Sequence, residues 1–212
     1  MDELELLKQR WKDNEQKHPK LSYQLIYDML FKRSTSIVKW IFIISIAELL
    51  FWLGLSFLTP QSTYDLLNEL EVMEYLLYLN IIHYVIFAVF VYLFYKNYSS
   101  IRVTDSIKEL MQSILKTRKT VRYFVIYNIA MFALSMVLLN ILYIVKSDVL
   151  LAFISKEYGS AMGEDFFGYF IAVQILFGLI MIGVLILFYR IVYGILLKRL
   201  KRNYTELKRI EV

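Results

Sequence analysis

Long apolar runs separated by short charged stretches set the pattern of this chain. Four of them, 37–58, 75–95, 123–145 and 166–189, are bounded by charge or by polar loops. About 20 mostly apolar residues suffice to cross a hydrocarbon core about 30 Å thick, so these runs predict four transmembrane helices. Aromatic residues with a polar handle gather at their ends, including Trp40, Tyr75, Tyr78, Tyr95, Tyr123 and Tyr189, where such rings favour the membrane interface. The segments between the spans carry helical spacing. Leu4, Leu7 and Trp11 share one face ahead of His18-Pro19, a pair that ends a helix. Ser22 is a good N-cap for a second stripe of Leu25, Ile26, Met29 and Leu30, and Ser106 with Glu109 has capping-box spacing before Ile107, Leu110, Met111, Ile114 and Leu115. Both stripes predict helices lying along the membrane surface, the latter over 105–118. Nothing breaks the last span after Gly194, so helix continues through Leu197, Leu200, Tyr204 and Leu207 at loose heptad spacing.

The predicted fold is all-α: an integral membrane four-helix bundle with short amphipathic cytoplasmic helices. Residues 1–35 form N-terminal amphipathic helices, 36–194 the four-span domain, and 195–212 a helical extension of span four. The apolar run 149–154 is open to three readings, as an extension of span three, a surface segment or a re-entrant loop.

Charge fixes the orientation, because short loops rich in lysine and arginine stay cytoplasmic. Lys8, Arg10, Lys12, Lys17, Lys20, Lys32 and Arg33 precede span one, and Lys96, Arg102, Lys108, Lys116, Arg118, Lys119 and Arg122 lie between spans two and three. Arg190, Lys198, Arg199, Lys201, Arg202, Lys208 and Arg209 follow span four. The other two loops carry Asp65, Glu69, Glu71 and Glu74, and then Asp148, Glu157, Glu164 and Asp165 with only Lys146 and Lys156. Both termini are therefore predicted to be cytoplasmic. The acidic start, Met1-Asp2-Glu3, lacks the basic opening of a cleaved signal peptide.

Of the 212 residues, 58% are hydrophobic and 17% aromatic, more apolar than a water-soluble domain of this size. Cysteine is absent, which removes disulfides, thiolate metal sites and cysteine nucleophiles. Only His18 and His83 supply imidazole, too few for a histidine-rich iron cluster. The net charge of +5 sits beside apolar spans and fits lipid headgroups better than nucleic acid. No cofactor is expected.

The stretches Leu4-Glu5-Leu6-Leu7-Lys8 with Trp11, Pro19-Lys20-Leu21-Ser22 with Ile26-Tyr27, and Ser36-Ile37-Val38-Lys39-Trp40-Ile41-Phe42 resemble uncharacterised inner-membrane proteins of Bacteroidota. The resemblance implies a bacterial inner-membrane location and brings no site residues. Some members of that group carry a carotene-monooxygenase name, whereas carotenoid-cleaving oxygenases hold iron with four histidines on a β-propeller.

A charge at membrane depth is expensive and usually faces a partner or a cavity. Glu48 lies nine positions past Lys39, about 13 Å above the inner boundary, and His83 lies about 20 Å above it. The two could meet through side chains or one water, as a proton-accepting pair or part of a polar cavity. Asn80, Asn128 and Gln174 would add polar groups. Alternatively these residues cross-link helices through hydrogen bonds, or Glu48 faces a second subunit. Gly168 and Ala172, with Gly178 and Gly183, point to close helix packing. The acidic loops lack the spacing and glycine of a calcium loop.

Two functional classes remain. The first is a non-enzymatic scaffold, regulator or assembly subunit that docks a protein partner through Leu4, Leu7, Trp11, Leu200, Tyr204 and Leu207. The second is a small transporter or channel, working as a homo-oligomer through Glu48 and His83. Catalysis on lipid lacks a nucleophile, a metal cluster and paired carboxylates within the bilayer, so the residues lean away from an enzyme.

Overall fold

The heptad pattern of buried side chains explains how the helices assemble. The computed structural model describes Glu5 and residues 23–102, 106–159 and 165–211, which contain six α-helices and no strand. They are α1 Tyr23–Ser56, α2 Gln61–Glu69, α3 Met73–Arg102, α4 Ile107–Val145, α5 Ser147–Tyr158 and α6 Phe166–Glu211. Helices α1, α3, α4 and α6 are long and apolar enough to cross a membrane, and the chain is a membrane protein of all-α, four-helix-bundle architecture. Along α4 as far as Asn128 the buried residues are Leu110, Ile114, Thr117, Val121, Phe124 and Asn128, in alternating steps of four and three. Helix α1 buries Ser34, Val38, Ile41, Ser45 and Glu48 at the same rhythm. On α6, Tyr189, Tyr193, Leu200, Asn203 and Leu207 are buried, with Leu196 packed beside them. A repeat of 3.5 residues keeps one seam facing its partners and winds helices into a left-handed supercoil.

The long helices alternate in direction and form a ring in which α1 packs on α3, α3 on α4, α4 on α6 and α6 back on α1. This order follows the chain, as the short connections between antiparallel neighbours favour.

Helix length shows that the bundle outruns any bilayer. At 1.5 Å per residue, the 39 residues of α4 and the 46 of α6 extend about 58 and 69 Å, against a hydrocarbon core of about 30 Å. The excess lies at the end rich in lysine and arginine, the basic end, where the helices build a stem with its own core of Leu30, Ile101, Leu110, Ile114, Leu200 and Leu207.

Two expected surface helices are corrected by this arrangement. The stripe Leu25, Ile26, Met29 and Leu30 belongs to the first turns of α1, and 107–118 to the first turns of α4. Neither stretch contains a breaker before its span. Leu30, Leu110 and Ile114 are buried against other helices, so their stripes continue the heptad seam instead of facing lipid headgroups. The Ser106 cap is present, its hydroxyl accepting from the Glu109 backbone N–H at 3.2 Å. Ser22, Leu4, Leu7 and Trp11 lie outside the described residues.

At the opposite, acidic end, α2 packs on α5 around Leu70, Tyr143 and Leu150. The run 149–154 is part of α5, a separate helix that begins after Lys146 interrupts α4. Glu71 ends α2 in the left-handed region, with φ at 59°. Its N–H donates to the Asn68 carbonyl and that of Val72 to the Leu67 carbonyl, the Schellman arrangement that usually employs glycine. The Lys146 ammonium holds the turn, donating to the Leu70 carbonyl at 2.6 Å and to the Glu71 carboxylate at 3.2 Å.

Candidate functional site

The zipped seam stops at one level, where Glu48 meets Tyr189 and Tyr193. Glu48 is the last buried residue of α1 and is 6% exposed. Both of its carboxyl oxygens accept hydrogen bonds from α6, Oε1 from the Tyr189 hydroxyl and Oε2 from the Tyr193 hydroxyl, the latter at 2.9 Å. Trp52 stands one turn further along α1. No lysine or arginine pairs with Glu48 among the described residues. The carboxyl thus ties α1 to α6 by hydrogen bonds alone. Behind the two tyrosines stands Phe124 of α4, in edge-on contact with Phe87, Phe90 and Phe94 of α3 at 5.1, 5.4 and 5.3 Å between ring centroids. It also meets Tyr189 at 6.2 Å and Tyr193 at 5.7 Å. Offset and edge-to-face rings pack more favourably than stacked sandwiches, and here they join all four long helices around one acid.

Glu48 and His83 make no direct hydrogen bond with each other. His83 shares a hydrogen bond of 3.2 Å with the Tyr127 hydroxyl and stacks on that ring at 5.7 Å, which ties α3 to α4. The difference has a geometric cause. Phe42 packs against Tyr95 and Tyr98, which sets it level with Lys96. Glu48 stands six positions further along α1, so it lies about 9 Å inside the basic boundary. Tyr189, next to Arg190, and Phe124, two positions from Arg122, likewise lie near the basic boundary. Glu48 is consequently well short of mid-membrane, and its partners come from a helix end that reads as an interface anchor.

Further polar links flank this level. Asn203 donates to the Ser34 hydroxyl at 3.0 Å, again between α6 and α1, and Asn97 to the Thr120 hydroxyl at 3.2 Å, between α3 and α4. A polar residue at a seam position fixes register, because a slipped pairing leaves it unsatisfied.

Above the Glu48 level the seam opens into a cavity of about 760 Å³. Its size is explained by α1, which ends at Ser56 while the neighbouring helices continue. Asn80, His83 and Tyr84 of α3 line it, together with Asn128, Met131 and Ser135 of α4 and Tyr189 of α6. The Asn128 amide donates to its own helix at the Phe124 carbonyl, at 2.8 Å, leaving its oxygen available. Gln174 is half-buried on α6, about four turns from Tyr189, and joins neither Glu48 nor the cavity wall. Of the glycines, Gly178 lies directly under the Met136 side chain, whereas Gly168 and Gly183 face open space.

Leu200 and Leu207 are fully buried and Tyr204 packs against the same core. Their apolar faces are taken up within the chain, so a partner at this end would meet the charged rim instead. Among the described residues no three His, Asp or Glu side chains converge as a metal site would require.

The sequence profile of a family described as a domain of unknown function, DUF8845, matches residues 24–212. The chain belongs to the DUF8845 family. The DUF8845 match covers all four long helices, the aromatic cluster and the basic stem. No curated protein and no solved structure matches the chain.

Proposed function

We propose that this DUF8845 protein is a non-enzymatic scaffold or regulator of a bacterial inner membrane, with its basic stem in the cytoplasm, where it docks an acidic protein surface. One observation carries the reading: the four spanning helices continue without a break into a sealed stem whose outside is strongly basic. Lys32, Arg33, Lys108, Lys116, Lys198, Arg199, Lys201, Arg202 and Lys208 are exposed there, against Asp28, Glu109 and the half-buried Glu206. A helix stem with its apolar seam already filled offers a rigid charged surface, and such surfaces recruit partners by steering and salt-sensitive pairing.

The test is mild-detergent purification of the tagged protein from its native membrane, beside a Lys198→Glu/Arg199→Glu/Lys201→Glu variant, with mass spectrometry of what accompanies each. A stoichiometric partner that leaves as salt is raised, and that the variant does not hold, is the expected result. A protein that comes alone, or a partner kept equally by the variant, overturns the reading. The cavity, lined by His83 though not by Glu48, favours the transporter alternative, in which Glu48 and His83 handle protons or a cation in an oligomer. That alternative requires Glu48→Gln to abolish flux in liposomes while assembly is kept.

A further inference from the structure

The cavity carries its imidazole and amide groups at its deep end, whereas the end nearer the membrane surface is walled by aliphatic side chains with Tyr64 and Tyr75, the reverse of the bilayer around it. Along α3, Asn80, His83 and Tyr84 lie deep, whereas Met73, Tyr75 and Leu76, with Val72 just ahead of the helix, lie toward the acidic end. Helix α4 repeats the gradient, with Asn128 and Ser135 deep and Leu138, Leu139 and Leu142 toward the acidic end. The two helices run antiparallel, so His83 faces the level of Asn128, and Asn80 that of Ser135. No Lys, Arg, Asp or Glu lines the cavity.

Spare hydrogen-bonding capacity is concentrated at the deep end. The His83 ring uses Nδ1 on Tyr127 and Asn128 uses its amide N–H on Phe124, which leaves His83 Nε2 and Asn128 Oδ1. Ordinary bilayer lipids keep their headgroups at the surface, so the lipid surrounding the protein does not match this gradient. A charged headgroup fails as well, since a charge carried to this depth finds no counter-charge. The volume is that of a small-molecule site, for which about 300–1,000 Å³ is usual. From the level of His83 to that of Met73 the helix rises about 15 Å, the reach of a medium-length alkyl chain.

We infer that this cavity binds an uncharged single-chain amphiphile in inverted orientation, its hydroxyl or carbonyl head against His83 and Asn128 and its apolar chain pointing to the acidic end. The site is independent of the stem and of any partner there.

Two photoactivatable long-chain alcohols test it, one with the diazirine beside the hydroxyl and one with it near the chain end, each added to the full chain in lipid nanodiscs. The head-proximal probe is expected to label Tyr84 and Met131, and the tail probe Leu76 and Leu139. Both labels should saturate and be displaced by unlabelled alcohol but not by phosphatidylglycerol. In a His83→Phe/Asn128→Leu variant, saturable labelling should fall at least about fivefold, the loss expected for one hydrogen bond or more. Ser135→Phe, which adds bulk to the cavity wall two turns from Asn128, should reduce it independently and covers the case in which the double variant does not fold. Labelling that never saturates, or a head probe found at Leu76 and Leu139, means surrounding lipid only and overturns the inference. So does saturable labelling that survives both variants.

Discussion

At the scale of the residue, Glu48 shows which part of a buried polar site can be read from sequence. A lone acid inside an apolar run is conspicuous because of its cost, and its burial follows. Its partners were hidden because Tyr189 and Tyr193 sit beside Arg190, where tyrosine also serves as an interface anchor. Only the stagger of α1 against α6 distinguishes the roles. Replacing both tyrosines in Tyr189→Phe/Tyr193→Phe removes both hydroxyl donors from a buried carboxyl, and should cost about 1–3 kcal/mol in a reversible unfolding titration in mixed micelles. Glu48→Gln keeps an acceptor for one tyrosine and should cost less, about 1 kcal/mol. An equal loss in the two variants would contradict the assigned hydrogen bonds.

Among the helices, spans and directions were legible, and the continuity of span and flank was not. The stripe at Ile107, Leu110, Met111, Ile114 and Leu115 fits an interfacial helix and a bundle seam equally well, since both bury one face. The seam is distinguished by its rhythm, carried unbroken through Thr117, Val121 and Phe124 into the span. Glycines divide in the same way. A Cβ on Gly178 would lie 2.1 Å from the Met136 methyl, so Gly178→Ala should cost little, because that methyl can swing away. Gly178→Val should cost about 1–3 kcal/mol in the same titration, as overpacking does. Gly183→Val, facing open space, should be silent. At the acidic end Lys146→Ala removes the donor to the Leu70 carbonyl. Exchange of the amides over 66–72 should then speed up while those of the stem stay protected, a local change of about 1 kcal/mol.

The whole molecule is a rod with two unlike halves. The basic half is zipped by a filled heptad seam, and the half toward the acidic end opens around a cavity because α1 stops early. The level between them is held by one acid and a ring of aromatics. Sequence alone indicates the membrane class and the charge asymmetry. The stem escaped it because length in excess of the bilayer appears only when the flanking helices prove continuous with the spans.

The absence of cysteine gives a clean background for the most direct test of that picture. Single substitutions Lys32→Cys, Lys108→Cys, Lys208→Cys, Leu110→Cys, Leu207→Cys and Asp65→Cys would be exposed to a membrane-impermeant maleimide in sealed vesicles of both orientations. The three lysine positions should react from one face only and Asp65→Cys from the other, while Leu110→Cys and Leu207→Cys stay unreactive until the protein is unfolded. Leu207→Cys reacting as fast as Lys208→Cys in the folded protein, or the three lysine positions dividing between the two faces, would contradict a sealed stem continuous with the spans.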